Sequence, residues 1–122
     1  MREILFRGKD IRGNWHIGLL AHIGNAWYIS NKAGTATAYE VIPNTIGQYT
    51  GLTDKNGKKF FEGDIIEELW LDKKHIYRTY YDNDIASFIG ADIYSEGFTT
   101  FDFDTNFEVI GNIYDNPELL EV

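Results

Sequence analysis

The residues of this chain that most resemble a metal-binding motif are three oxygen-bearing side chains that alternate near its C-terminus. Asp102, Asp104 and Asn106 have the spacing that opens a calcium loop. The rest of the motif is absent, because Phe107 stands where the loop needs glycine and Ile113 where it needs a bidentate glutamate. We therefore predict no metal site and interpret the segment as an exposed strand end followed by a polar turn.

Paired carboxylates are the groups best suited to acid-base chemistry in this chain. Candidates occur at Glu62, Asp64, Glu67, Glu68, Asp102 and Glu108. In a chain this acidic, neighbouring carboxylates arise by chance, and catalysis would require one of them to be buried with a raised pKa. Because Glu62 and Asp64 flank Gly63, we predict instead that their carboxylates accept backbone N–H groups and fix a turn.

Histidine, serine and cysteine provide no recognisable nucleophile or metal cluster. His16 and His22 lie six positions apart, so they would share one face of a continuous strand, but we interpret them as ordinary strand residues. No serine lies in a G-x-S-x-G pattern, and the absence of cysteine excludes disulfides and thiolate chemistry. We therefore predict a protein that is not an enzyme and holds no cofactor.

One cluster combines cations with aromatic rings. Proteins that bind single-stranded nucleic acid use such side chains to neutralise phosphates and to stack on bases. Its members are Trp70, Lys73, Lys74, Tyr77, Arg78 and Tyr80, with Tyr81 beside them. The alternative is that Trp70 and alternate tyrosines fill the core while the cations decorate a hairpin, and this is the interpretation we favour. Glu67 and Glu68 close by would also repel phosphate.

The net charge of −8 is distributed unevenly along the chain. Residues 1–60 hold eight Lys and Arg against four Asp and Glu, a net +4, whereas residues 61–122 hold three against fifteen, a net −12. The acidic half argues against nucleic acid, which is bound by clustered cations. It predicts either a basic protein partner, with Asp102, Asp104 and Glu108 as the candidate face, or an ordinary solvated surface.

The elements that must position these residues are predicted to be strands. Turn signals recur every eight to twelve residues, and no window of twelve or more residues keeps a helical period, which indicates an all-β fold. Turn formers occur throughout Thr53 to Lys58, and Glu62-Gly63-Asp64 makes a second break. A strand should follow from Ile65 to Leu71, then a turn to His75 and another strand from Ile76 to Tyr81.

Shorter signals complete the expected architecture. The first 44 residues predict a β-meander, with Gly24-Asn25 as a hairpin turn and a strand that ends at Pro43. Further strands are expected at Phe98 to Phe103 and at Phe107 to Tyr114, where Gly111 is a candidate bulge or close-approach site. Asn116-Pro117 should cap a single helical turn.

The chain also resembles a known family. The segments that carry the resemblance are Gly47 to Leu52, Asp54 to Lys58 and Phe61 to Ile66, together with Arg2 to Arg7 and Phe107 to Leu120. In order and spacing they are similar to the signature of the YopX family of phage and prophage proteins. Phe60-Phe61 replaces the family's usual Ile-Tyr pair and keeps an aromatic residue there. The resemblance implies a small, phage-encoded, mostly β protein with an SH3-like barrel and no settled catalytic residues.

We thus expect one domain of 122 residues, with an N-terminal β-meander over 1–44 and an SH3-like β-barrel with a C-terminal helical turn over 45–122. No apolar run of signal-peptide or transmembrane length is present, so we expect a cytoplasmic protein without membrane association. The predicted function is a non-catalytic interaction module that binds a protein partner or forms a homo-oligomer. The alternative is a single-stranded nucleic-acid-binding barrel.

Overall fold

The computed structural model describes residues 3–30, 37–101 and 106–121, and the chain forms two compact units, Met1–Gly51 and Leu52–Val122. Both are built from antiparallel strands, which confirms the predicted all-β class. Among the described residues no helix has the length and apolar character needed to span a membrane.

The first unit is a rolled antiparallel meander. Its strands are β1 (Phe6–Lys9), β2 (Trp15–Ile23), β3 (Ala26–Ser30), β4 (Tyr39–Val41) and β5 (Gly47–Thr53), with a 3₁₀ turn at Pro43–Thr45 before β5. Their spatial order is β4-β3-β2-β1-β5. Gly24 has a φ of 62° in the tight turn between β2 and β3, as its sequence predicts.

The end of β4 returns against the end of β1 and so rolls this sheet. The Ile42 N–H donates to the Lys9 carbonyl over 2.8 Å, and the Lys9 N–H donates to the Thr45 hydroxyl over 2.9 Å. Val41 packs so closely on Gly8 that a Cβ there would lie 2.8 Å from the Val41 Cβ. Glycine at position 8 is what permits this approach.

The second unit contains a five-stranded antiparallel sheet. Its strands are β6 (Lys59–Phe61), β7 (Asp64–Trp70), β8 (Lys73–Asp82), β9 (Ser87–Asp92), β10 (Phe98–Thr99) and β11 (Phe107–Asn112), followed by a 3₁₀ turn at Pro117–Leu120. Five of them form a sheet in the order β10-β9-β8-β7-β11, while β6 lies beside the end of β5. The register shifts between Val109 and Gly111, which confirms the predicted bulge.

An aromatic core fills one face of this five-stranded sheet. Phe60, Ile66, Tyr77, Phe101 and Phe107 are all buried there. The ring of Phe101 meets those of Phe60 and Phe107 edge-on at centroid distances of 5.2 and 5.0 Å. These are favourable aromatic geometries, and burial of such large side chains supplies much of the unit's stability.

Asp54 ties the turn between β5 and β6 to the edge strand β11. Its Oδ1 accepts the N–H groups of Asn56 and Lys58, both at 2.9 Å, and its Oδ2 accepts the N–H of Val109 at 3.0 Å. The Lys55 N–H also donates to the Phe107 carbonyl. Burial opposes ionisation of Asp54, but these hydrogen bonds and the charge of Lys58 outweigh it and lower its pKa. The turn thereby satisfies backbone groups along an otherwise open sheet edge.

Within the described residues the strands form open sheets, so the all-β class is confirmed and the SH3-like barrel stays a prediction. Several local expectations need correction. The predicted turn from Leu71 to His75 is only two residues long. Of the predicted strand at Phe98 to Phe103, the described residues form a strand at Phe98–Thr99 but not at Thr100 or Phe101, and 102–103 lie outside the described residues. The C-terminal turn forms, but the Asn116 side chain does not cap it, because its Oδ1 accepts the Asn112 N–H instead.

Candidate interaction surfaces

Strand β2 exposes a row of apolar side chains in the first unit. Ile17, Leu19 and Ile23 are 46%, 48% and 67% exposed, and Ala21 between them is exposed too. Their spacing of two places them on one side of the strand. Ala26 and Tyr28 of β3 stand opposite Ile23 and Ala21 in register and widen the row. We call these six residues the β2–β3 face.

The other side of β2 carries two stacked aromatic pairs and is covered over Gly18, although His22 near its end is exposed. His16 stacks on Tyr39 and His22 stacks on Trp27, each with ring centroids 4.0 Å apart. Ile29 of the neighbouring strand is completely buried on that side. The two histidines share a face, as their spacing predicts, but each has its own aromatic partner.

Cations gather at one end of the β2–β3 face. The guanidinium of buried Arg7 lies 4.9 Å from the centre of the Trp15 ring, and the ammonium of Lys9 lies 5.8 Å from it. Both distances suit cation–π attraction. At the other side of the face, Glu40 is exposed and stands opposite Tyr28. Among the described residues, the face is therefore apolar at its centre and has charged groups at its margins.

A rigid loop joins β1 to β2 beside this surface. The Asp10 carboxylate accepts the N–H groups of Arg12 and Asn14 and lies 2.8 Å from His16 Nε2. The bond to His16, followed by the bond from Asn14, lowers the pKa of Asp10 to about 2. Ile11 at the loop's tip is 92% exposed.

The structure separates the residues of the predicted nucleic-acid cluster. Alternation along β8 directs Tyr77 into the core, where it is 7% exposed, while Arg78 and Tyr80 lie on the opposite face or its margin. Arg78 lies 5.5 Å from the Tyr80 ring centre, and Lys74 is 3.6 Å from the Glu67 carboxylate. Lys73 is exposed and opposes Trp70 in register, and only the backbone of Trp70 is described.

Four polar side chains form two hydrogen-bonded pairs at the margin of the second unit's core. The Tyr77 hydroxyl donates to Glu68 Oε1 over 2.9 Å, and His75 Nδ1 lies 3.3 Å from Asp92 Oδ2. Burial raises the pKa of Tyr77, and the hydrogen bond to Glu68 and the charges of Glu68 and Asp92 raise it further. Tyr77 therefore acts as a hydrogen-bond donor that satisfies a buried carboxylate, a structural role.

Of the three residues of the candidate acidic face, the structure describes Glu108 alone. Asp102 and Asp104 lie outside the described residues. Glu108 stands opposite Glu67 across the β11–β7 pair, and its carboxylate lies 3.8 Å from the Lys55 ammonium. The Asn56 side-chain amide donates to it over 3.4 Å. Glu108 thus already has partners on its own chain, and exposed pairs of this kind contribute little free energy.

Comparisons with known proteins agree with the fold. A model of the family described as YopX protein matches residues 20–121. The crystal structure of protein EF1440 from Enterococcus faecalis is 22% identical, with a TM-score of 0.55 over 99% of this chain and 100% of that one. At that identity the likeness concerns the fold alone. A search of curated proteins gives no match.

Proposed function

This chain belongs to the YopX protein family, and we propose that it is a non-catalytic interaction module that binds a protein through its β2–β3 face. The observation that supports the proposal is the exposure of Ile17, Leu19 and Ile23 in one row. Contiguous apolar surface on a protein of this size costs solubility and often marks an interaction site. A rigid sheet presents it in a fixed geometry, so little conformational entropy is lost on binding.

The proposal includes the phage or prophage origin that the family resemblance implies, and it places the protein's action in the cytoplasm of the bacterial host. We also propose that the second unit corresponds to an SH3-like barrel. Its five antiparallel strands and aromatic core support this assignment. Nuclear Overhauser contacts between the edge strands β10 and β11 would test it, since closure must join them.

The test of the binding proposal compares the parent chain with Leu19→Lys, which places a charge at the centre of the β2–β3 face. Each tagged protein is used to capture partners from host lysate. We expect the parent to retain a protein that Leu19→Lys loses. Ile11→Lys is the matched control, because Ile11 is 92% exposed on a loop outside the face. Equal capture by all three proteins would refute the proposal.

Nucleic-acid binding is a second candidate. It is supported by the contact between Arg78 and the Tyr80 ring at 5.5 Å and by exposed Lys74, which lies on the same face of β8. It uses fewer residues than the sequence suggests, because Tyr77 is buried. Replacement of Lys73, Lys74 and Arg78 by alanine should abolish binding to single-stranded DNA or RNA. Absence of binding by the parent protein at low salt would dismiss this candidate.

A further inference from the structure

The hairpin between β7 and β8 exposes a second apolar feature, at a place where the backbone is strained. Leu69 is 55% exposed, and Leu71 in the two-residue turn is 78% exposed. Leu71 and Asp72 have φ values of 51° and 60°. A hairpin turn of this type favours Asn-Gly, and leucine at positive φ is unfavourable. Neither solubility nor local geometry explains a leucine at this position.

The two units of the chain carry opposite charge. The unit Met1–Gly51 has five Lys and Arg against three Asp and Glu, a net +2, whereas Leu52–Val122 has six against sixteen, a net −10. Between two copies, contact of like units is repulsive, strongly so for the acidic pair, and contact of unlike units is attractive. Charge therefore favours a head-to-tail orientation.

We propose that Leu69 and Leu71 of one copy dock on the β2–β3 face of a second copy. The inference rests on the proposed function, because it uses the same face and names its occupant. Leu71 would pack against Leu19, which lies between Ile17 and Ala21 in the exposed apolar row. The end of the β7–β8 hairpin that carries Leu69 and Leu71, called the tip, adds little net charge of its own. Asp72 is followed by Lys73, and Lys74 is paired with Glu67. Apolar contact supplies the affinity, and the charges of the units set the direction.

A contact between two different surfaces leaves one of each unused in every pair, so it continues into a ring or an open chain. The parent protein should accordingly show a weight-average mass that rises beyond that of a dimer as its concentration increases in sedimentation equilibrium. An isologous contact would stop at the dimer. A parent protein that remains monomeric at its highest soluble concentration overturns the inference.

Two variants disable one surface each. Leu71→Asn places a residue that tolerates positive φ in the turn, so it should preserve or improve folding stability while raising the dissociation constant about tenfold or more. Leu19→Lys disables the face. Ile85→Asn is the matched control for the tip, because Ile85 is exposed in another turn of the same unit at 47%. Assembly by Leu71→Asn as strong as that of the parent overturns the inference.

Mixing the two variants gives the decisive result. Leu19→Lys keeps an intact tip and Leu71→Asn keeps an intact face, so the pair should form a 1:1 heterodimer at concentrations where each variant alone is monomeric. A mixture that stays monomeric while the parent assembles would show that the parent uses another contact, and overturns the inference. If Leu71→Asn captures a host protein through its intact face but forms no heterodimer with Leu19→Lys, the self-assembly inference is overturned and the proposed function still stands.

Discussion

Asp54→Asn should destabilise the second unit, because this one carboxylate holds a turn and a sheet edge together. In the parent it accepts three N–H groups, and the most distant donor in sequence is Val109. Asparagine keeps an oxygen for Asn56 and Lys58 but turns an NH₂ toward the Val109 N–H. One charge-assisted bond is therefore replaced by two opposed donors, and the other two bonds become neutral.

The magnitude follows from these losses and one gain. A hydrogen bond to a charged group contributes about 1.5–3 kcal/mol and a neutral one about 1 kcal/mol. Asp54 is only 7% exposed, so removal of its charge also relieves a desolvation cost. We expect a net loss of roughly 2–3 kcal/mol at pH 7, measured by urea unfolding and by faster exchange of the Val109 amide.

The difference should depend on pH in a defined direction. The pKa of Asp54 is lower in the folded protein, so its stabilisation is present above the unfolded value of about 3.9 and is lost as pH falls through the folded value. Asp54→Asn cannot titrate, so parent and variant should converge below about pH 4. Asp84→Asn, at an exposed turn, should stay within about 0.5 kcal/mol of the parent throughout. Equal stability of Asp54→Asn and the parent at pH 7 would refute the role of Asp54 in holding the β5–β6 turn to β11.

Three further perturbations test other parts of the fold. Gly90→Ala places a Cβ 2.8 Å from Phe101 Cζ and Tyr77 Cβ and should cost about 1–3 kcal/mol in urea unfolding, with Gly97→Ala, at an exposed turn, as a milder control. Tyr77→Phe removes the hydroxyl that donates to buried Glu68 and should lower the free energy of unfolding by about 1–3 kcal/mol at pH 7. Because the pKa of Tyr77 is raised in the folded protein, the difference in stability between parent and variant is full below about pH 10 and declines as pH rises further. Carboxyl NMR should place the titration of Asp10 near pH 2, and a titration near pH 4 would contradict its bond to His16.

Local signals in the sequence were sufficient for many elements because each depends on one residue's chemistry. Gly24 accepts the positive φ of a hairpin turn, and Gly111 marks a bulge where a Cβ would lie 2.6 Å from Asn116 Oδ1. Asp64 accepts the Phe61 N–H at 2.7 Å, which confirms the predicted role of a carboxylate beside Gly63. These features require no knowledge of distant strands.

Features that depend on pairing between distant strands could not be predicted in the same way. The link from Asp54 to Val109 spans 55 positions, so no local pattern contains it. The hairpin at Leu71 also departs from its local signal: Asp72-Lys73-Lys74-His75 is polar enough for a longer turn, but pairing of Trp70 with Lys73 extends both strands and forces Leu71 into positive φ. Tertiary pairing overrides local preference there.

The β2–β3 face shows why a surface is harder to predict than an element. By hydrophobicity alone, the side of β2 with Ile17, Leu19 and Ile23 would be the core side, yet the structure exposes it, while Leu20 and two histidines lie on the other side. The choice depends on where Tyr39 and Trp27 stack, and Tyr39 arrives only after the chain has passed through β3. Alternation identifies two candidate faces. Within the described residues, aromatic rings stack on the histidine side, and the side with Ile17, Leu19 and Ile23 stays exposed.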